Sequence, residues 1–324
     1  MSKILVIGAG AWGTALANVL AKKKNKVYVW ARNSIIVSEI NNKSSNKKYF
    51  KDLHLSKKLK AITGKIDTKE FDFIFYVLPA SQFENFSQSY LANQKIKNFI
   101  ICSKGLSESG KLLSEIATKS LNITRIFILS GPSFAKEVIT GMPTALSLAS
   151  NNQKPLQTSA LFKDTNIRIY YSNNIKTLEV LGVVKNIYAI GAGILEAMKL
   201  GENARASFIT RCASEMQFML KQSNLNDQKI LSLAGIGDLV LTCSSTKSRN
   251  FSFGKKFIFM QSAKNLSKNK TTIEGLNSIM TIKKVLNLNL KDLPILTSII
   301  NTIIMIIPNR YYWYFFFNYL KIFI

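Results

Sequence analysis

The sequence predicts an α/β protein: an N-terminal domain on a mostly parallel sheet, followed by an all-helical C-terminal domain. Three observations predict it. Short β-branched apolar runs alternate with helical patterns over the first half, the mark of βαβ units. The first of these runs enters a glycine turn that opens a helix. From Asn174 the two-residue apolar alternation largely stops, and long helical patterns take over to the end. The change of domain is expected near 175 to 185, giving domains of 1–180 and 181–324. No Pro/Gly-rich linker marks it.

The first strand is Lys3-Ile4-Leu5-Val6-Ile7, and the turn after it is Gly8-Ala9-Gly10-Ala11-Trp12-Gly13. Gly8 allows the tight turn, Gly10 lets backbone approach a pyrophosphate, and Gly13 lets helix and strand pack closely. The helix that follows offers unpaired N–H groups and a positive dipole end to phosphates. Strand before and helix after favour a dinucleotide site, with a structural Gly-rich βα turn as the alternative. Lys26 to Trp30 is the second strand, and beyond it stands Arg32. An NAD-only site usually carries Asp or Glu there, on the ribose 2′-hydroxyl. A guanidinium suits a 2′-phosphate instead, so NADP is favoured and NAD stays open, as does an ordinary solvated arginine.

Residues 34–60 read as a helix plus a long polar loop, with Tyr49 and Phe50 as its aromatics and His54 as the one histidine of the chain. A single histidine leaves no His–carboxylate relay for hydride chemistry, so a general acid must be another residue type. Phe71 to Leu78 is an apolar strand stopped by Pro79. After a helix comes the strand Phe99 to Cys102, and then Ser103-Lys104-Gly105-Leu106. Lys104 thus stands at the carboxyl end of a parallel strand, where such sheets bind ligands. A helix is expected over 109–120 and a strand over 126–129. That strand runs into Ser130-Gly131-Pro132-Ser133-Phe134-Ala135, a turn opening a short helix with Ser133 available to cap it. Two closing strands are expected over 144–149 and 167–171.

In the second half, Leu181 to Gly193 is a long, almost wholly apolar helical run carrying Lys185 and Asn186 side by side. A lysine in such a place must find partners or lower its pKa, and either outcome suits a proton donor to a carbonyl. The alternative is a lysine reaching out from a helix end. Further on, Leu233-Ala234-Gly235-Ile236-Gly237-Asp238 is a Gly-flanked turn presenting one carboxylate. Ser248-Arg249-Asn250 has the chemistry of a phosphate clamp, although without context it would be an ordinary loop.

Composition narrows the classes. The chain has 324 residues, 47% hydrophobic and 19% charged, which suits about two globular domains. The first strand starts at Lys3 with no basic and apolar leader before it, so a cytoplasmic protein is expected. Three scattered cysteines without CxxC spacing give no metal site. The net charge of +26 comes from lysines spread through loops rich in Asn, Ile and Phe, as an AT-rich coding bias would produce. No aromatic-interleaved basic motif accompanies them, so nucleic acid is not an expected partner. A positive field does favour anionic cofactors and substrates. The last ~25 residues are atypical: Ile295 to Ile307 is nearly all apolar, and Tyr311 to Phe317 is aromatic throughout. The first piece falls short of the ~20 residues a membrane span needs, and Pro308 interrupts it. It reads as a shifted reading frame or decayed end rather than as a membrane contact, and no stable insertion is expected.

Taken in order, GAGAWGTALA, SKGL, LSGPSFAKEV with GMPTALSLAS, VVKNIYAIGAGI, GENARASFITR, LAGIGDLVLTC and KSRNFSFG resemble the bacterial-type NAD(P)-dependent sn-glycerol-3-phosphate dehydrogenases. The likeness spans roughly residues 3 to 300. It implies a Rossmann domain, a helical domain and an active site between them. The implied reaction reduces dihydroxyacetone phosphate to sn-glycerol 3-phosphate, the backbone precursor of phospholipids. The resemblance makes Lys185 the catalytic proton donor and Lys104 a lysine shared by cofactor and substrate. It places Gly131, Ser133, Asp238, Ser248, Arg249 and Asn250 on the substrate side. Ala11, Trp12, Arg32, Tyr49, Ala135, Arg249, Thr272 and Glu274 fall on the cofactor side, with the glycines of the first turn. A small phosphorylated substrate is the implied partner, and a homodimer stays open. Remaining alternatives are a related two-domain reductase of another hydroxy acid or phosphate, or a cofactor-binding relic without turnover.

Overall fold

The computed structural model describes residues 1–151, 155–257, 273–279 and 281–306. Contacts divide the chain into two compact units, Met1–Ser103 with Lys111–Ile175, and Lys104–Gly110 with Lys176–Ile324. The change therefore comes at 175/176, and the short segment around Lys104 is counted with the helical unit.

The first unit is built on an eight-stranded sheet of order β3-β2-β1-β4-β5-β6-β7-β8. All neighbours are parallel except β6 and β7. The central strands β1 (Lys3–Ile7) and β4 (Phe73–Tyr76) are buried almost throughout, which is why they read as unbroken apolar runs. Between β1 and β2 (Lys26–Trp30) runs helix α1 (Ala11–Ala21), whose residues from Gly13 onward are all buried. After α2 (Ser34–Lys43) comes β3 (Lys60–Ile62) at one edge. Helix α3 (Phe83–Tyr90) leads into β5 (Lys95–Ile101), and α4 (Leu113–Ser120) into β6 (Asn122–Ser130).

Both β5 and β6 are longer than their apolar runs suggest. Lys95 and Lys97 are exposed while Ile96 and Asn98 are buried, so the amino-terminal half of β5 carries only a weak alternation. The helix expected from residue 109 begins at Leu113. A second correction concerns Ser133: helix α5 (Ala135–Ile139) has Phe134 at its cap position with no side-chain bond. The Ser133 hydroxyl instead donates to the Gly131 carbonyl at 3.2 Å, so it closes the turn and leaves the helix uncapped. Strands β7 (Thr144–Ala149) and β8 (Ile167–Ser172), with α6 (Leu156–Ala160) between them, complete the sheet.

The second unit is helical among its described residues. Helix α7 (Ile175–Ala197) is long and apolar enough to cross a membrane, yet its apolar stretch is wholly buried inside the protein. Helix α8 (Gly201–Gln222) follows, then a wide turn over Leu233–Gly237, α9 (Asp238–Cys243) and α10 (Arg249–Phe257). The backbones of α7 and α10 touch where they cross. A Cβ on Gly193 would lie 2.0 Å from the Phe251 carbonyl oxygen, and one on Gly254 would lie 2.0 Å from that of Ile190. Helices α11 (Glu274–Ile279), α12 (Ile282–Leu286) and α13 (Pro294–Ile306) complete the unit.

Helix α13 corrects the expectation for the apolar end. Ile295, Leu296, Ile299, Ile300 and Ile303 are buried, so this stretch is a core helix, apolar because most of its circumference is covered. The buried Glu215 carboxylate accepts from the Ile295 and Leu296 backbone N–H groups (2.6 and 3.0 Å) and from the Tyr188 hydroxyl (2.9 Å). It thereby satisfies the first turn of α13 and anchors α7, three residues beyond Lys185. The aromatic run Tyr311 to Phe317 lies outside the described residues.

Candidate active site

In the first unit, Gly8 has φ +119°, and Gly13 approaches so closely that a Cβ there would sit 1.9 Å from the Gly8 carbonyl oxygen. Gly10 is the N-cap of α1, and nothing lies within 4 Å of where its Cβ would be. The first turn of α1 carries no acid, so its N–H groups and dipole favour an anion at the carboxyl end of β1. There β1 lies between β2 and β4, the point at which strand order reverses and α/β sheets take ligands. This cradle fits the pyrophosphate of a dinucleotide.

Asn46, which the sequence does not single out, holds the turn in place. Its amide donates to the Ala9 carbonyl (3.0 Å) and the Thr14 hydroxyl (2.9 Å). Nothing in its loop context signals that role. Arg32 is exposed just beyond β2, and Tyr49 is 40% exposed with the Lys48 ammonium 5.6 Å from its ring centre. Ala11 and Trp12 are half-buried at the start of α1. Gly131, Ser133 and Ala135 follow the carboxyl end of β6, with Gly131 at φ +144°.

The second unit gathers a charged cluster around one carboxylate. Asp238, the first residue of α9 and 1% exposed, accepts from Lys104 Nζ at 2.6 Å and from Lys185 Nζ at 2.9 Å. Lys185 also donates to the Thr242 hydroxyl at 2.7 Å, and that hydroxyl donates to the Asp238 carbonyl at 2.6 Å. Thr242 is the residue of this cluster that sequence reading missed. It lies one turn beyond Asp238, a spacing visible only once Asp238 is known to begin a helix. Asn186 extends the network: its amide contacts the Lys104 carbonyl at 3.4 Å and accepts from Asn250 Nδ2 at 2.9 Å. Asn250 Oδ1 in turn accepts from the Gly275 N–H at 3.0 Å, next to Glu274 at the buried start of α11.

Ser248, Arg249 and Asn250 do not act alike. Ser248 is buried and accepts from the Phe251 N–H at 3.3 Å, capping α10, while Asn250 is committed to the amide chain just described. Arg249 is exposed, with no ion pair among the described residues. Its guanidinium and the N-terminus of α10 are available to an anion. Thr272 lies outside the described residues. Among those described, no group of three or more His, Cys, Asp or Glu could hold a metal ion, and His54 is an exposed loop residue.

Burial lowers the pKa of Lys185 from 10.5 to about 8; Asp238 opposes the shift and the neighbouring Lys104 ammonium adds to it. Burial acts on Asp238 in the opposite sense, but the two ammonium groups outweigh it and hold the carboxyl below its usual range. The cluster is therefore an ionised carboxylate shared by two lysines, one of which can release its proton near neutral pH. The same shift costs folding free energy. Unfolded, Lys185 holds its proton more tightly, so the cost is full below about pH 8 and is relieved as pH rises towards 10.5. Cys243 beside this cluster is buried, which pushes its thiol up to about 12 and leaves it inert.

The family described as NAD-dependent glycerol-3-phosphate dehydrogenase N-terminus matches residues 3–156, and its C-terminus counterpart matches residues 174–309. The chain belongs to this family. Its second match runs past Pro294 and through α13, so the family pattern extends further than the sequence reading allowed. A relative from Erythrobacter litoralis, glycerol-3-phosphate dehydrogenase (NAD(P)+), is 36% identical over 307 residues, covering 92% of this chain and 91% of that one. One of the same name from Orientia tsutsugamushi is 36% identical over 304 residues, covering 90% and 91%. A crystal structure of glycerol-3-phosphate dehydrogenase from Coxiella burnetii superposes with a TM-score of 0.81 at 32% identity, covering 93% and 94%. A D-mandelate dehydrogenase structure with NADH, at 15% identity and a TM-score of 0.60, shares the fold alone.

Proposed function

We propose that this protein catalyses the reversible NAD(P)H-dependent reduction of dihydroxyacetone phosphate to sn-glycerol 3-phosphate, with NADPH the preferred cofactor. One observation carries the reading: a buried lysine, held between Asp238 and Thr242, with its pKa lowered to about 8. That is the group needed to protonate an alkoxide as a ketone is reduced. When bound, the nicotinamide cofactor supplies the hydride for the carbonyl carbon. The chain's own residues do the rest. Lys185 gives its Nζ proton to the carbonyl oxygen and takes one back in oxidation. Asp238 keeps Lys185 charged until that moment, and the Thr242 hydroxyl fixes the direction of the ammonium. Lys104 adds a second positive charge where negative charge develops on oxygen, a preorganised electrostatic contribution. Arg249 and the N-terminus of α10 hold the phosphate away from the reacting carbon and orient the substrate. The product is the backbone precursor of phospholipids.

The test follows oxidation of NADPH by its near-ultraviolet absorbance. Oxidation is expected with dihydroxyacetone phosphate and at least ~10²-fold less with dihydroxyacetone, because the phosphate anchor is lost. Equal rates with both, or none with the phosphate ester, would overturn the reading. The NADPH preference rests on Arg32, exposed just beyond β2 with no acid in the place that would bind a ribose 2′-hydroxyl. Arg32→Asp is expected to raise KM for NADPH about tenfold, one charge-assisted hydrogen bond's worth, and to leave KM for NADH within about twofold. Equal changes for both cofactors would refute it.

A further inference from the structure

For the activity proposed above, the proton donor and the phosphate anchor stand on two different helices of the second unit, Lys185 on α7 and Arg249 at the start of α10. What sets the distance between them lies along one stripe of α7. Asn186, Ile190 and Gly193 occupy positions i, i+4 and i+7, a single helix face. On that face Asn186 Oδ1 accepts from Asn250 Nδ2 at 2.9 Å, the Ile190 carbonyl meets Gly254, and Gly193 meets the Phe251 carbonyl. Lys255 closes the far end of the crossing on Glu196 at 3.4 Å.

At Gly193 and Gly254 the contact is backbone against backbone. A Cβ on Gly193 would also lie 2.8 Å from the Lys255 backbone nitrogen, between that nitrogen and the Phe251 carbonyl one turn earlier. Helix α11 approaches in the same way: a Cβ on Gly275 would lie 2.4 Å from the Asn186 carbonyl oxygen, and the Gly275 N–H donates to Asn250. Packed helices ordinarily stand ~8–10 Å apart, at a distance set by the side chains between them. Side chains can change rotamer and give way, whereas peptide groups in contact cannot. A methyl group added at Gly193 or Gly254 must therefore part the helices, from 2.0 Å to the 3.4 Å of an ordinary contact. That displacement is close to one carbon–carbon bond, ~1.5 Å.

Glycine inside a helix is destabilising relative to alanine, so a pair of them at one crossing needs a compensating reason. We propose that Gly193 and Gly254 are positioning residues that set substrate length. By bringing α7 and α10 into backbone contact, they hold Lys185 and Arg249 at the span of dihydroxyacetone phosphate. A homologue with one more methylene between carbonyl and phosphate ester is thereby excluded. The inference rests on the activity proposed above and adds to it a reason for the substrate's size. The competing reading, that these glycines serve helix packing alone, can be separated through Gly191. It lies on the same helix, but a Cβ there would meet the side chains of Ile299 (2.6 Å) and Phe208 (2.8 Å) and not α10. Substitution of Gly191 therefore strains the core and leaves the α7–α10 separation untouched.

The experiment measures kcat/KM for dihydroxyacetone phosphate and for that homologue, at saturating NADPH, in the full-length protein and in Gly193→Ala, Gly254→Ala and Gly191→Ala. Wild type is expected to prefer the shorter substrate at least ~10-fold, the usual effect of one methylene in a fitted site. In Gly193→Ala and Gly254→Ala, KM for dihydroxyacetone phosphate should rise at least ~10-fold and the preference should fall below ~3-fold. The pH midpoint of reduction should stay at about 8, because Asp238, Thr242 and Lys104 do not lie on α10. Gly191→Ala should lose thermal stability and keep the wild-type preference. Three results would overturn the proposal: a wild-type preference under ~10-fold, an undiminished preference in a folded Gly193→Ala or Gly254→Ala, or an equal loss of preference in Gly191→Ala. If neither variant at the crossing folds, the wild-type ratio decides. A wild type that does not reduce dihydroxyacetone phosphate at all would instead overturn the activity itself.

Discussion

Replacing Lys185 by alanine is expected to lower turnover in the reduction direction at least ~10²-fold, the usual contribution of a positioned general acid. NADPH affinity should stay within about threefold, because the dinucleotide cradle is built by Gly8, Gly10 and Gly13 of the other unit. The variant should still fold. Asp238 keeps Lys104 at 2.6 Å as a counter-ion, so no buried carboxylate is left bare, and the ~8 pKa that opposes folding at neutral pH is removed with the side chain. Steady-state kinetics and cofactor titration decide it together. Turnover within about fivefold of wild type would remove Lys185 from the chemistry.

The second large effect is expected at Asp238. Asp238→Asn removes the one negative charge between two ammonium groups, leaving Lys185 desolvated beside Lys104 with only the neutral Thr242 hydroxyl and the new amide to hold its proton. Its pKa must then fall below about 8, so a smaller share of the donor is protonated at neutral pH. Turnover in reduction should drop about 10²-fold at pH 7, and the falling limb of the pH profile should move to lower pH. Breaking a buried ion pair at one partner costs on the order of 3–5 kcal/mol, so urea unfolding should show a clear loss of stability. A fully stable variant with an unmoved pH limb would show that Asp238 acts some other way.

How much of this was legible in the sequence depends on the distance over which each partner was found. The glycine turn could be read because strand, turn and helix are consecutive, and each glycine has a local steric reason. Lys185 stood out because it interrupts an apolar helix. Its surroundings did not: Asp238 lies 53 positions after Lys185, and Lys104 lies 134 positions before Asp238, and only the fold brings them together. Thr242 stayed hidden for a local reason. The wide turn over Leu233–Gly237 disguised the start of α9, and with it the one-turn spacing from Asp238. Ser248 and Asn250 carried the right chemistry for a phosphate clamp, but the helix start and the amide chain claim much of their hydrogen-bonding capacity. The end of the chain misled for the opposite reason. A helix covered on most sides loses the amphipathic period by which a surface helix is recognised, so α13 looked foreign where it is core.

The most direct test of the account is the pH dependence of single-turnover rates in both directions, measured across two units either side of about pH 8. The substrate phosphate loses its second proton with a pKa of about 6, so it overlaps only the lowest end of that window and leaves the interval around pH 8 to Lys185. If Lys185 is the proton donor with a pKa of about 8, reduction is full below that value and falls as pH rises through it. Oxidation, which needs the neutral amine, rises over the same interval. Mirror-image profiles sharing one midpoint near 8 are the predicted result, and rates that are flat in both directions through that interval would contradict it.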